Sequence, residues 1–399
     1  MSVRSVDPPA AKTSTGRRVL TRPLAATTYL LRNAGKSIPL TAVIVLAVML
    51  VAGIISMINS IPLSIRVIYN YSREFTGITP RGDAAKTQPI LDEIKKKSPI
   101  TIERIIVCRT TATVVQSIVG KWPFYIAGLE QNDLQYYLDR QGSKSLEGRL
   151  PAAGKPEAVI SRPVAQNLGL KLGSELLGPE KDDGFSPNSV KVVGIADTER
   201  WVMLTSIEYL QDFHFPPIDI GILCAPTPAE QSKLDLWAEK YFKGRPVAVL
   251  AYHQVEKDTN DMFATLYQIL NVVIGTLVLV ITTMMGMLMN IYQSQRLVEF
   301  GLLQALGYTK KQLLSRVVIE TVFVVVFGWL LGLVAAYGLL NVAKRTLMDP
   351  KAFALNVLDP VAYAYSIPLP IAILIVAIAT VVLRFRKFDP IGVVERRIV

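Results

Sequence analysis

Residue types that commonly carry catalysis are scarce in this chain of 399 residues. His214 and His253 are its only histidines, and neither has a metal-ligand spacing. The chain contains no HExxH, CxxC or GxSxG pattern. We therefore interpret both histidines as structural or surface residues, and we predict a non-enzymatic chain with no metal site.

A partial match to a phosphate-binding loop does not change this prediction. Gly35, Lys36 and Ser37 have the order in which such a loop ends. The glycine needed at its start would fall at Leu30, and no strand precedes it. Because phosphate binding depends on a glycine-rich turn after a strand, we predict no nucleotide or cofactor site in this chain.

The two cysteines leave two interpretations open. Cys108 and Cys224 both fall on predicted strands of one large polar segment. An oxidising compartment would permit a disulfide between them, whereas buried free thiols are equally compatible with two isolated cysteines.

The stretch from Tyr292 to Glu320 has the pattern of a surface that binds another protein rather than that of a catalytic site. Apolar residues recur there every three positions, at Leu297, Phe300, Leu303 and Leu306. Arg296 and Glu299 lie around this stripe, which predicts a short amphipathic helix.

A sharp break follows this helix. Gly307 can take the left-handed conformation that ends a helix, and Thr309 with Gln312 has the spacing of a capping box that begins the next one. The stretch is then either a polar turn between two membrane helices or a helix that docks on a partner protein. The complete stop and start signals favour the docking helix.

Composition indicates a membrane protein. Hydrophobic residues make up 51% of the chain and charged residues only 19%, and the mean hydropathy is +0.35. A helix needs roughly 20 apolar residues to cross a bilayer. Four runs approach or exceed this length: Ile38 to Ile58, Leu266 to Ile291, Val317 to Leu340, and Ile367 to Leu383.

The net charge of +11 is concentrated beside these runs. Residues 1–37 carry +6, and residues 292–316 and the tail from Arg384 carry +3 each, which leaves −1 for the rest of the chain. The positive-inside rule therefore predicts a cytoplasmic N-terminus, linker and C-terminus. This juxtamembrane charge is explained by orientation and by contact with anionic lipid, so nucleic acid is not a predicted partner.

The segment between the first two spans, about 200 residues long, has a mixed α and β pattern. Its middle, about residues 130–215, has its own turn residues and is predicted to be an inserted subdomain. Predicted strands and helices are Ile90 to Lys97 (helix), Thr101 to Cys108, Thr111 to Ile118, Trp122 to Ile126, Val190 to Gly194, Ile218 to Cys224, Pro228 to Phe242 (helix) and Val247 to Tyr252.

The predicted fold class is a four-helix membrane domain with a mixed α/β extracytoplasmic domain inserted between its first and second spans. In chain order we predict an N-terminus with an amphipathic helix (1–37), a first span (38–61), the α/β domain (62–262), a second span (263–291), a linker (292–316), a third span (317–340), an outer loop (341–366), a fourth span (367–383) and a tail (384–399).

Two features of the third span call for neighbours. Gly328, Gly332 and Ala336 recur at four-residue steps, which predicts close helix packing, more readily within the chain than as a dimer seam. Glu320 lies near the start of the span, and an ionisable group at that depth needs a partner or water, or snorkels to the surface.

These features resemble the FtsX-like permeases of MacB-type (type VII) ABC transporters over nearly the whole chain. The linker resembles the family pattern at Arg296, Glu299, Phe300, Gly301, Leu303, Ala305, Leu306 and Gly307, followed by Leu313, Leu314 and Glu320. The segment between the first two spans resembles it at Gly148 to Leu150, Glu157 to Ser161, Ala165 to Gly173 and Val192 to Ile195, and the tail does so at Asp389 to Ile391. Phe300 departs from the more usual isoleucine, and the N-terminal extension is longer than in many members.

The resemblance implies a permease subunit in the bacterial cytoplasmic membrane. Its linker would be a coupling helix for two copies of a separate ATPase subunit, which would bind ATP and Mg. A second permease copy, identical or paralogous, would complete a dimer, and a periplasmic adaptor is a further partner that the resemblance allows. Motion of the ATPases would pass to the extracytoplasmic domain, which is termed mechanotransmission.

The resemblance supports two functions. The first is export or extraction of a lipophilic, lipoprotein, peptide or haem-like cargo. The second is a regulator that relays ATPase motion to a cell-wall hydrolase or sensor kinase. A membrane enzyme is disfavoured because the sequence has no recognisable catalytic constellation.

Overall fold

The structure is a computed structural model that describes residues 34–82, 86–215 and 219–386. The predicted amphipathic helix of the N-terminus falls almost entirely outside these residues, and so does the tail motif Asp389 to Ile391. In chain order the α-helices are α1 Ala34–Ile68, α2 Thr87–Lys97, α3 Gln131–Arg140, α4 Arg162–Leu168, α5 Ile207–Asp212, α6 Pro228–Phe242, α7 Tyr252–Ser294, α8 Leu297–Ala305, α9 Lys310–Ala343, α10 Pro360–Ala364 and α11 Pro368–Arg386.

The strands form one mixed sheet between α1 and α7 in the chain. They are β1 Thr76–Pro80, β2 Arg104–Ser117, β3 Gly120–Leu129, β4 Leu146–Gly148, β5 Glu157–Ser161, β6 Glu175–Leu177, β7 Val190–Ala196, β8 Met203–Ser206, β9 Asp219–Cys224 and β10 Val247–Leu250. The sheet order is β10-β1-β9-β2-β3-β8-β5-β7-β4, with β6 paired to β7. Strands β3 and β8 run parallel, as do β5 and β7.

The long strand β2 joins the two ends of this sheet. The sequence predicts two strands here, and the structure corrects this to a single one. Arg104 to Arg109 pair with β9, and Arg109 to Ser117 pair with β3. Because the backbone groups stay paired through Arg109 and Thr110, nothing interrupts the strand.

Helices cover the sheet and build its cores. Leu91 and Ile94 of α2 pack with Leu234 and Ala238 of α6 and with Ile78 of β1. The predicted helix Pro228 to Phe242 is confirmed at both ends. It begins after Thr227, whose hydroxyl accepts a hydrogen bond from the Glu230 backbone N–H.

Both cysteines are buried free thiols. Burial raises the pKa of the Cys108 thiol to about 12 and that of the Cys224 thiol to about 11. The structure therefore selects the free-thiol interpretation over the disulfide.

Four stretches of helix among the described residues are long and apolar enough to cross a membrane. They are Ser37–Ile68, Tyr252–Ser294, Lys310–Lys351 and Pro360–Leu383, and each contains one predicted span. Helix α7 begins ahead of its apolar run, so the predicted strand Val247 to Tyr252 ends at Leu250. No proline or glycine follows Leu250 for more than twenty residues, and the helix therefore extends into polar sequence. The predicted fold class is confirmed.

The chain divides into two compact units. Of the described residues, the first contains 34–46, Leu279–Leu331 and 368–386, and it includes the linker between α7 and α9. The second contains Ala47–Val278 and Gly332–Ile367, and it includes the α/β domain.

Candidate functional site

The linker of the first unit folds into the short helix α8, which we call the linker helix. It ends at Gly307, whose φ of 95° lies in the left-handed region. The Gly307 N–H donates to the Gln304 carbonyl at 2.9 Å, and the Tyr308 N–H donates to the Leu303 carbonyl at 3.1 Å. The predicted glycine stop is confirmed, because these bonds satisfy carbonyls at the helix end.

The predicted capping box is also confirmed. The Gln312 N–H donates to the Thr309 hydroxyl at 3.4 Å, and the Thr309 N–H donates to the Gln312 side-chain oxygen at 2.9 Å. This reciprocal pair begins α9 and holds the chain in a tight reversal after the linker helix.

Four charged side chains meet at the start of the linker helix. We call this group, Arg296, Glu299, Arg316 and Glu320, the ion cluster. Glu320 lies at its centre. One carboxylate oxygen accepts from Arg296 Nη1 at 2.7 Å, and the other accepts from Arg316 Nε at 3.0 Å. Glu299 closes the ring at longer distances, 3.4 Å from Arg296 and 3.9 Å from Arg316.

The centre of the ion cluster is removed from water. The side chain of Arg296 is 2% exposed and that of Glu320 is 4% exposed. Two positive and two negative charges balance, which is the condition under which buried charges are tolerated. Removing one partner from a buried pair costs about 3–5 kcal/mol because the other charge is left uncompensated. The two arginines therefore depend on the buried carboxylate of Glu320, which pairs with both of them.

The ion cluster connects the linker helix to α9. Arg296 immediately precedes α8 and Glu299 lies in its first turn, whereas Arg316 and Glu320 are one turn apart on α9. The Arg296 guanidinium also lies 5.4 Å from the Tyr292 ring centre and 5.0 Å from that of Phe300. The ion pairs from Arg296 to Glu320 and from Glu299 to Arg316 connect the start of the linker helix to α9.

The inner face of the linker helix is apolar below the ion cluster. Phe300 packs with Leu313 and Val317 of α9 and with Val381 of α11. Gly301 is buried and Leu303 is partly buried against the same cluster. Arg296, Phe300 and Leu303 thus hold the linker helix to its own unit.

The outer face carries a second apolar row. Leu302 is 64% exposed and Leu306 is 71% exposed, and Val298 and Ala305 are also exposed. Val298, Leu302 and Leu306 follow one another at four-residue steps and so share one side of the helix. Sequence reasoning missed Val298 and Leu302, although their spacing was a readable signal.

The three small residues of the predicted stripe on α9, Gly328, Gly332 and Ala336, are all buried. A Cβ at Gly328 would lie 3.1 Å from the Ile44 side chain, so this glycine permits close approach of α1 and α9 in the first unit. Gly332 and Ala336 are buried in the second unit.

Neither histidine joins a cluster of this kind. His253 Nε2 lies 2.7 Å from a Glu239 carboxylate oxygen, and His214 is exposed after α5. Across residues 34–82, 86–215 and 219–386, no three metal-ligating side chains come together.

A comparison with protein families finds one match. Residues 271–390 match the family described as FtsX-like permease C-terminal. The matched segment contains the linker helix, the ion cluster and most of the last three spans. It confirms the resemblance to FtsX-like permeases over these residues.

Solved structures give weaker likenesses. The periplasmic region of MacB from Actinobacillus actinomycetemcomitans aligns with 48% of this chain and 94% of its own length, at 11% identity and a TM-score of 0.28. The extracellular domain of the noncanonic ABC-type transporter YknZ from Gram-positive bacteria aligns with 44% of this chain and 99% of its own, at 12% identity and a TM-score of 0.28. No curated protein sequence matches the chain.

Proposed function

We propose that this chain is the permease subunit of an ABC transporter and that a separate ATPase subunit binds its linker helix. The proposal is supported by the family match over residues 271–390, which includes the linker helix. ATP and Mg would bind to the ATPase, and this chain would supply the surface on which the ATPase acts.

The observation that carries this proposal is a firmly anchored helix with an exposed apolar side. The linker helix is held by the ion cluster and by Phe300. Its other side presents Val298, Leu302 and Leu306. An apolar row set on a rigid base suits a helix-in-groove contact, and it would pass a push or pull to α9 without bending.

Helix α9 is the proposed route of that motion. It is continuous from Lys310 to Ala343. In the second unit it is followed directly by two short helical turns, Lys344–Met348 and Asp349–Lys351. The Lys351 carbonyl accepts a hydrogen bond at 2.7 Å from Asn167, which is fully buried in the α/β domain. A displacement of α9 would therefore be delivered to the backbone next to α4.

The membrane arrangement belongs to the same proposal. The basic excess of residues 292–316 supports a cytoplasmic linker helix, on the side where ATP is available. The α/β domain would then lie outside the cytoplasmic membrane. We propose two permease copies with two ATPases, and export or extraction of a lipophilic, lipoprotein, peptide or haem-like cargo driven by motion of the outer domains.

The decisive experiment replaces the exposed row. Leu302→Asp combined with Leu306→Asp adds two charges to the proposed contact while leaving the ion cluster and Phe300 intact. We expect a folded permease in the membrane that no longer co-purifies with Mg-ATP hydrolysis activity, with a loss of at least tenfold per mole of permease.

Thr309→Asp is the matched control. It adds a negative charge three residues from Leu306, and aspartate retains the capping function of threonine. It should keep most of the hydrolysis activity. If the double variant also keeps wild-type activity, the linker helix is not the ATPase contact.

A further inference from the structure

A cavity of about 380 Å³ lies in the second unit. It is lined by the last turns of α1, the first apolar turns of α7 and the segment that leads into α10. These are the span ends to which the α/β domain is joined along the chain. The volume suits the headgroup of an amphiphile rather than a whole lipid with its acyl chains.

One wall of the cavity is apolar. Ile55 of α1 and Leu270 of α7 line it and belong to a buried cluster with Val51, Ile274 and Ala362. Tyr267 and Tyr365 add two rings to the lining. A small polar ion would gain nothing from this wall, whereas the glycerol region of a lipid would bury apolar surface there.

A polar group is buried in the lining without a partner. Ser56 is 2% exposed, and its hydroxyl makes no hydrogen bond to any described residue. A buried hydroxyl without a hydrogen bond costs about 1–3 kcal/mol. An occupant with an acceptor or donor near Ser56 would remove this cost.

The cavity also holds one charge of each sign. The buried Asp359 carboxylate accepts from Asn59 Nδ2 at 2.5 Å and from the Val361 N–H at 3.0 Å. Arg66 donates from Nη2 to Asn260 and lies 4.0 Å from Glu256. Its Nε is buried and has no hydrogen-bond partner in the described chain. A guanidinium donor without a partner and a carboxylate in the same lining suit a zwitterion.

We propose that this cavity binds the headgroup of a phosphoethanolamine lipid. The phosphate would accept a hydrogen bond from Arg66 and the primary ammonium would donate to Asp359. The glycerol region would lie against Ile55 and Leu270. An ammonium with N–H donors suits Asp359 better than a quaternary choline group, which has no N–H to donate. This site is independent of the ATPase contact proposed above.

The test uses the full chain purified in detergent. It is incubated with short-chain phosphatidylethanolamine, phosphatidylglycerol or phosphatidylcholine, and bound lipid is counted by native mass spectrometry. We expect at least tenfold preference for phosphatidylethanolamine over the other two. Inorganic phosphate at millimolar concentration should not displace it.

Three variants locate the binding. Asp359→Asn keeps an N-cap for α10 and should abolish the preference over phosphatidylglycerol. Ser56→Leu fills the cavity and should abolish binding. Thr276→Leu, the same kind of change on an exposed face of α7, should bind as the wild type does.

Several outcomes would overturn the proposal. They are equal binding of the three lipids, an unchanged preference in Asp359→Asn, displacement by inorganic phosphate alone, and equal losses in Ser56→Leu and Thr276→Leu. A chain that binds none of the lipids would also exclude the site.

Discussion

At the scale of single residues, Asp235 is a buried carboxyl of the α/β domain whose ionised form is disfavoured by burial. It lies on α6, 5% exposed, and accepts hydrogen bonds from the Thr76 hydroxyl at 2.5 Å and from Gln231 Nε2 at 3.5 Å. Burial raises the pKa of this carboxyl to about 6, although the two hydrogen bonds oppose that shift.

This shift makes stability depend on pH. Because the folded-state pKa of Asp235 lies above its unfolded value, the folded domain holds the proton more tightly. The stabilisation is full below pH 4 and is lost as pH rises through about 6. Asp235→Asn should raise the free energy of unfolding by about 2–3 kcal/mol at pH 8 and change it little near pH 4.

Tryptophan fluorescence during denaturation can measure this effect. Trp122, Trp201 and Trp237 lie in the α/β domain, so three of the four tryptophans of the chain report on it. The same stabilisation at both pH values would show that Asp235 is not the titrating group.

At the scale of elements, the ion cluster holds α8 and α9 together, so that we expect the two helices to move as one body. Glu320→Gln would leave Arg296 and Arg316 buried without their carboxylate, and it should lower the free energy of unfolding by about 3–5 kcal/mol. Denaturation of the purified wild-type and Glu320→Gln chains in the same detergent measures this loss.

Glu299→Gln is the matched control for that experiment. The side chain of Glu299 is 37% exposed and its contacts are longer, 3.4 and 3.9 Å. An exposed pair of this kind contributes up to about 1 kcal/mol. Equal losses in the two variants would mean that burial of Glu320 adds nothing to the ion cluster.

At the scale of the whole molecule, the proposed orientation predicts opposite accessibility for two exposed positions. Lys171→Cys in the α/β domain should react with a membrane-impermeant thiol reagent in intact cells, whereas Thr309→Cys after the linker helix should react only after permeabilisation. The natural thiols should not react with the reagent because Cys108 and Cys224 are buried and their pKa values are raised.

Labelling of Thr309→Cys in intact cells would show that the linker helix lies outside the cytoplasm, opposite to the proposed orientation. In that case the linker helix could not meet an ATP-hydrolysing subunit in the cytoplasm, and the proposed function would fall with it. The wild-type chain, treated in parallel, measures the background from its two natural cysteines.

Much of this architecture could be predicted from local signals. Apolar runs of sufficient length predicted each span, because a bilayer leaves a helix few other ways to satisfy its backbone. Gly307 and the pair Thr309 and Gln312 predicted the break in the linker, because left-handed turns and reciprocal caps depend on residues a few positions apart. The helix Pro228 to Phe242 was predicted for the same reason.

What the tertiary structure alone decided depends on residues far apart in the chain. Periodicity marked the linker as a helix, yet only packing against Leu313 and Val381 shows that Phe300 faces inward and Leu302 outward. The position of Glu320 near the start of a span predicted that it needs a partner. Only the fold shows that Arg296, 24 residues away in sequence, is that partner. The cavity beside Asp359 likewise requires three segments to meet. Local sequence determines which elements form, whereas long-range burial and charge pairing decide which side of each element is left for a partner.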